Sequence, residues 1–222
     1  NDIAPVFVNE PLLAAGSADY AGMPVAAVAA DTYDQALAAA KTIKVEYKEL
    51  EPVLSIKDAW EKELFTYPPP KIVFGDAEAA MEKSKHTVSG EVSCGGQDHF
   101  YLESHIALAL PGEDSDMTVY SSTQHPTEAQ HGVSNVLGIA QNDVTIEVRR
   151  MGGGFGGKES QPTIIAGIAA LLAAKCRKPV KLRLRRDDDM IATGKRHDFL
   201  FKYEIGFDDN GRIDSAIIDM VG

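Results

Sequence analysis

Apolar and polar positions along the chain repeat with two periods, and the resulting segments predict an α+β fold. Met23 to Ala30 is a short apolar run containing Val25 and Val28, and it reads as a buried strand. Asp31 offers a cap for a helix reaching about Ile43, with Ala36, Leu37 and Ala40 as its apolar stripe. Val45-Glu46-Tyr47 resumes a strand, so this first part reads as a small α+β unit ending near Pro52. The pattern then changes. Trp60 lies in a mixed helical stretch. Pro68-Pro69-Pro70 is extended, because each proline fixes its own φ and disfavours helix before it. This places a boundary between residues 1–54 and 55–222.

The second part is richer in strands. Asp76 caps a short helix to Lys85, and His86 to Ser93 follows as a partly alternating strand. Ile106–Leu110 and Met117–Ser121 flank Pro-Gly-Glu-Asp-Ser-Asp, an antiparallel hairpin. Thr127 to Leu137 reads as a helix with Val133, Val136 and Leu137 on one face, stopped by Gly138. Val144–Val148 alternates as a strand, Thr163–Lys175 is a strong helix, and Val180–Leu184 is another strand. Leu200–Gly206 and Arg212–Val221 flank Asp-Asp-Asn-Gly, the clearest hairpin in the chain. The order of elements is α+β rather than a regular βαβ alternation.

Composition narrows the function classes. With 222 residues, 44% hydrophobic and 25% charged, the chain suits one large domain or a small one joined to a medium one. A net charge of -11 argues against a nucleic-acid partner, since binding a polyanion needs a positive footprint. The two cysteines, Cys94 and Cys176, form no C-x-x-C pattern, which excludes a zinc ribbon or an all-cysteine iron–sulfur cluster within this chain. Such sparse cysteine use fits a reducing cytoplasm. The apolar run near Ile164–Ala174 is too short to span a bilayer. The start lacks an initiator Met and a signal core, and Gly222 interrupts a strand, so both ends read as cut from a longer polypeptide.

The most informative stretch is Gly152-Gly153-Gly154-Phe155-Gly156-Gly157-Lys158-Glu159. Five glycines permit positive φ angles and a backbone lying close to whatever it touches. With a strand before it and a helix after, its amides suit an anionic or polar group. A plain tight turn is one reading. A phosphate-binding loop is another, because Gly152 to Lys158 satisfies G-x-x-x-x-G-K; however, Glu159 stands where a magnesium-binding hydroxyl belongs. His125, Glu128 and His131, spaced by threes, lack the i, i+4 pairing of zinc proteases.

The third reading is a resemblance. Arg150-Met151 through Glu159 resembles the loop of the xanthine dehydrogenase and aldehyde oxidase family. Gly95-Gly96-Gln97-Asp98-His99-Phe100-Tyr101-Leu102-Glu103 is similar to another of its segments, and Ser121-Ser122-Thr123-Gln124 and Thr193-Gly194-Lys195-Arg196-His197 are similar to two further landmarks, in the family's order. The resemblance implies the end of a small hammerhead-type α+β domain, then the first part of a molybdenum-binding domain. It implies a molybdenum–molybdopterin cofactor that hydroxylates an electron-poor carbon with water as oxygen source. In the family pattern Gln97 hydrogen-bonds an oxygen ligand on molybdenum from outside the metal's own coordination shell. Phe155 and Gly156 approach the metal ligands and substrate, and Glu159 hydrogen-bonds a purine such as xanthine or hypoxanthine. Aldehyde-preferring relatives carry other residues at 159. The resemblance also implies FAD and iron–sulfur clusters in other domains or subunits, an oligomeric assembly, and a general base lying outside this chain. On that reading the chain by itself is inactive, a folded module without a complete active site.

Overall fold

The computed structural model describes residues 2–3 and 10–222. In chain order its elements are α1 (Tyr33–Ala40), α2 (Ile56–Glu61), α3 (Ala77–Met81), β1 (His86–Cys94), β2 (Ile106–Pro111), β3 (Met117–Ser121), α4 (Pro126–Leu137), β4 (Val144–Glu147), α5 (Gln161–Cys176), β5 (Val180–Arg183), α6 (Arg186–Ala192), β6 (Phe199–Phe207) and β7 (Ile213–Val221). They form two units. One contains residues up to Glu46 together with Asp98–Lys195; the other contains Tyr47–Gln97 and Arg196–Gly222. The fold is α+β, with one sheet in each unit.

The first unit is built on a four-stranded sheet of order β4-β3-β2-β5. β2 pairs antiparallel with β3 and β5, whereas β3 and β4 run parallel, with α4 as the crossover between them. Alternation along β2 and β3 turns Ala107, Ala109, Met117 and Val119 to one face, where they meet Ile165, Ala166, Ala169 and Ala170 of α5. Alanine on both sides lets the helix lie close to the sheet. Each fully buried branched side chain contributes about 2 kcal/mol. α5 is apolar nearly all round, as a central helix should be. α4 ends at Gly138 in the left-handed conformation, φ 67°, as the sequence predicts.

The second unit is an antiparallel sheet of order β1-β6-β7. The β6–β7 turn is closed by Asp208, whose carboxylate accepts hydrogen bonds from the N–H groups of Asn210 (2.8 Å) and Arg212 (2.9 Å). One face of this sheet is covered by helices: Ser215 donates to the Ala77 carbonyl of α3 at 2.6 Å, and the Lys202 ammonium sits 4.4 Å from the Trp60 ring centre of α2. On the other face, Phe199 and Phe201 stack at 5.8 Å, and Val88, Val92, Ile218 and Met220 are exposed.

Two sequence expectations need correction, and one helix is additional. Residues 23–30 and 45–47 join no strand ladder among the described residues, since an apolar run makes a strand only where a partner's amides meet its own. The α1 cap is Thr32 rather than Asp31, because a capping box with Gln35 satisfies two helix-end donors at once. Finally, α6 was not foreseen.

Candidate functional site

Parallel pairing of β3 and β4 decides which loops become neighbours. Both strands end on the same side, so Ser122–His125 after β3 and 148–160 after β4 leave the sheet side by side. Ligands of open α/β sheets gather at such carboxyl ends. Here the first loop brings Gln124 to the glycine-rich segment. Gln124 Oε1 accepts hydrogen bonds from the N–H groups of Gly156 (3.0 Å) and Lys158 (3.2 Å), and its own N–H donates to the Lys158 carbonyl (2.7 Å). With Oε1 so held, the side-chain NH2 of this exposed residue is the donor that remains beside the loop.

The loop's shape follows from its residues. Gly153 and Gly156 adopt φ of 91° and 90°, which only glycine takes without strain. Phe155 also has positive φ, 55°, and is 74% exposed. A phenyl group held outward in a sparsely populated conformation is a feature of binding sites. Gly157 is needed for closeness: a Cβ there would lie 2.7 Å from the His99 ring and 2.8 Å from Tyr101. Glu159 follows on the exposed side.

Beneath the loop lies a buried polar network. Lys158 is fully buried, its ammonium 3.0 Å from Glu103 Oε2 and 2.8 Å from Ser122 Oγ, and 4.8 Å from the Tyr101 ring centre. Removing a lysine from water draws its pKa below the usual range, and Glu103 opposes this. For Glu103, burial acts upward, but hydrogen bonds from Ser122, Gly152 and Lys158 prevail and hold the carboxyl below its usual range. The two shifts share a direction for different reasons: the cation is wholly enclosed, whereas the carboxylate side chain is 36% exposed. Further in, Tyr101 donates to Asp189 Oδ1 at 2.5 Å, and the backbone N–H and Nδ1 of His105 lie 2.6 and 3.0 Å from Oδ2. Burial raises the Asp189 pKa, but His105 and Tyr101 outweigh it and bring the carboxyl down to about 2. Burial and that carboxylate together push the Tyr101 phenol up.

These contacts remove the phosphate-loop reading. A phosphate-binding lysine must reach out to its ligand, and Lys158 points inward to a carboxylate. His125 Nδ1 lies 3.6 Å from Glu128, yet no three His, Cys, Asp or Glu among the described residues gather as a metal-ligand set. What this loop offers instead is a projecting aromatic ring and close backbone approach, with the Gln124 side-chain amide beside it. That suits a metal arriving with its own organic ligands, to which the protein supplies hydrogen bonds.

Residues 60–222 match the sequence profile of the molybdopterin cofactor-binding domain, and residues 1–51 match that of the aldehyde oxidase and xanthine dehydrogenase a/b hammerhead domain. The chain belongs to the xanthine dehydrogenase and aldehyde oxidase family. It is 41% identical to a xanthine dehydrogenase/oxidase of Gallus gallus over 97% of its length, and 41% identical to an aldehyde oxidase 3 of Rattus norvegicus over 96%. The chain spans 16% of the length of each of these relatives. Quinoline 2-oxidoreductase of Pseudomonas putida 86 superposes with a TM-score of 0.80 over 92% of this chain and 27% of its own, at 26% identity. This member of a molybdenum oxidoreductase family has no described helix long and apolar enough to cross a membrane.

Of the residues singled out from sequence, Phe155, Gly156 and Glu159 share the exposed loop of the first unit. Gln97 belongs to the second unit, where its backbone exchanges hydrogen bonds with Arg196 at 3.0 and 3.1 Å. Gln124, noted in the sequence only as part of a landmark, is the amide that meets the loop. Its position at the C-terminal end of a strand just before a helix was the available signal.

Proposed function

We propose that this chain forms part of a molybdenum hydroxylase that oxidises a purine such as hypoxanthine or xanthine, with water as the oxygen source. Residues 1–54 would close the hammerhead-like domain and 55–222 open the molybdopterin-binding portion. The observation that carries the substrate reading is Glu159, an exposed carboxylate on the loop that also projects Phe155. An acid there can accept hydrogen bonds from ring N–H groups while the phenyl ring offers a flat apolar wall. When bound, the molybdenum–molybdopterin cofactor supplies the redox chemistry and the activated oxygen. The residues of this chain would orient it and the substrate: Gly156 would let the backbone approach, the Gln124 amide beside it would be a donor for an oxygen ligand, and Gln97, in the second unit, is the donor that the family resemblance implies. FAD and iron–sulfur clusters on other domains or subunits would accept the electrons, and the general base would be supplied from elsewhere in the enzyme.

In the full-length enzyme, Glu159→Val lowers kcat/KM for xanthine about 10- to 100-fold, the scale of one hydrogen bond to a charged group. Turnover of an aromatic aldehyde changes much less. Equal losses on both substrates would refute the purine assignment and favour the second reading, an aldehyde or other N-heterocycle hydroxylase. The equal identity to the rat aldehyde oxidase 3 speaks for that alternative. Gln97→Ala and Gln124→Ala, assayed for molybdenum content and kcat, separate the two amides. We expect about 10- to 100-fold losses wherever an amide orients the metal's ligands. A variant with wild-type values removes that glutamine from the site. Stoichiometric molybdenum in the isolated chain would exclude its being an inert module.

A further inference from the structure

We infer that Lys158 and Glu103 act as a buried clamp that positions the glycine loop, setting where Phe155 and Gly156 stand. The inference rests on the reading that this loop borders the cofactor.

One atom holds both ends of the loop. Glu103 Oε2 receives the N–H of Gly152 at 3.0 Å, the Lys158 ammonium at 3.0 Å and the Ser122 hydroxyl at 2.5 Å. The Glu103 N–H donates in turn to the Gly152 carbonyl at 3.1 Å, so the loop's first residue is gripped through both its backbone groups. Its last residue is gripped by side chain from below and by Gln124 from the side. Phe155 and Gly156 lie between these anchors: Phe155 is 74% exposed, a Cβ on Gly156 would meet nothing closer than 3.8 Å, and the Gly156 N–H is held by Gln124 at 3.0 Å. Their position is therefore set by the anchors together with Gln124.

The anchors themselves rest on a stiff base. Lys158 lies over the Tyr101 ring, and the phenol of Tyr101 is tied to Asp189. A fully buried ammonium is costly unless paired, and here its partner also organises the loop. Lys158 touches neither solvent nor the exposed side of the loop, so it is a positioning residue rather than a catalytic one.

The test uses full-length enzyme carrying Lys158→Met, which keeps the volume and removes the charge, and the doubly neutral Glu103→Gln/Lys158→Met. Four quantities are measured: molybdenum per chain, hydrogen exchange of the 152–158 peptide, the electron paramagnetic resonance spectrum of the partly reduced metal, and kcat with KM. Lys158→Met is expected to raise exchange across the loop and alter the resonance spectrum. It should lower kcat about 10- to 100-fold, the usual effect of losing a group that orients metal-site ligands, with KM moving much less. The double variant recovers part of the loss, because no lone carboxylate remains under the loop. Wild-type exchange and an unaltered spectrum in Lys158→Met would overturn the clamp. If that variant does not fold, Glu103→Gln, which retains acceptors for Gly152 and Ser122, decides by the same exchange measurement. Should the wild-type enzyme hold no molybdenum, the cofactor reading fails, while the exchange comparison still judges the clamp.

Discussion

Gly157→Ala should cost the full-length enzyme about 100-fold in kcat/KM, although it adds a single methyl group. The new Cβ would stand 2.7 Å from His99 and 2.8 Å from Tyr101 Cε1. Tyr101 is 4% exposed and fastened through its hydroxyl to Asp189, so its ring has nowhere to go. The loop must rise instead. That breaks the turn in which the Gly157 N–H donates to the Gly154 carbonyl at 2.8 Å, and it carries Phe155 away from its place. Overpacking of this kind costs about 1–3 kcal/mol of stability, too little to unfold the chain but ample to misplace a reacting group. Steady-state kinetics alongside a melting curve check it. Unchanged kcat/KM would mean that the loop's position does not govern turnover.

Asp189→Asn should destabilise the first unit by about 2–3 kcal/mol near neutral pH, and the difference from wild type should shrink in acid. The sign follows from the carboxyl's folded pKa of about 2, which lies below its unfolded value of ~3.9. Such a group stabilises the fold fully above the unfolded value, and the contribution fades as pH falls through the window down to about 2. Asparagine cannot hold the negative charge toward which the Tyr101 hydroxyl and the backbone N–H and Nδ1 of His105 are directed, so it lacks the stabilisation at every pH. Urea midpoints near neutral pH and at about pH 3 test this. A gap of constant size would mean that the loss comes from packing and not from charge.

Local signals in the sequence carried much of the fold. The Asp-Asp-Asn-Gly turn, Gly138 after α4 and the unbroken apolar length of α5 each have a short-range cause, and each element stands where expected. Residues 23–30 have the right composition for a strand but join no strand ladder among the described residues, an outcome set by tertiary pairing and not by periodicity. The same holds for the parallel neighbours β3 and β4, joined across α4. α6 carries Asp187, Asp188 and Asp189 in its first turn, where helix-end electrostatics favours acids, yet only the fold reveals that Asp189 is 1% exposed.

The candidate site divides in the same way. The glycine loop, Phe155 and Glu159 were visible because so many glycines in a row demand an explanation. Gln124, Glu103 and Lys158 act through contacts across tens of residues. Lys158 was misleading as well, since its spacing after the glycines suggests a ligand reaching outward when it is in fact enclosed.

The contrast between the enclosed network below the loop and the open side chains above it has a consequence for how such enzymes diversify. Phe155 and Glu159 face outward and support no core, so exchanging them leaves the scaffold nearly untouched. On the proposed reading, changes at these two positions would retune recognition without a cost in folding, a freedom well matched to a family whose members are named for aldehydes and for xanthine.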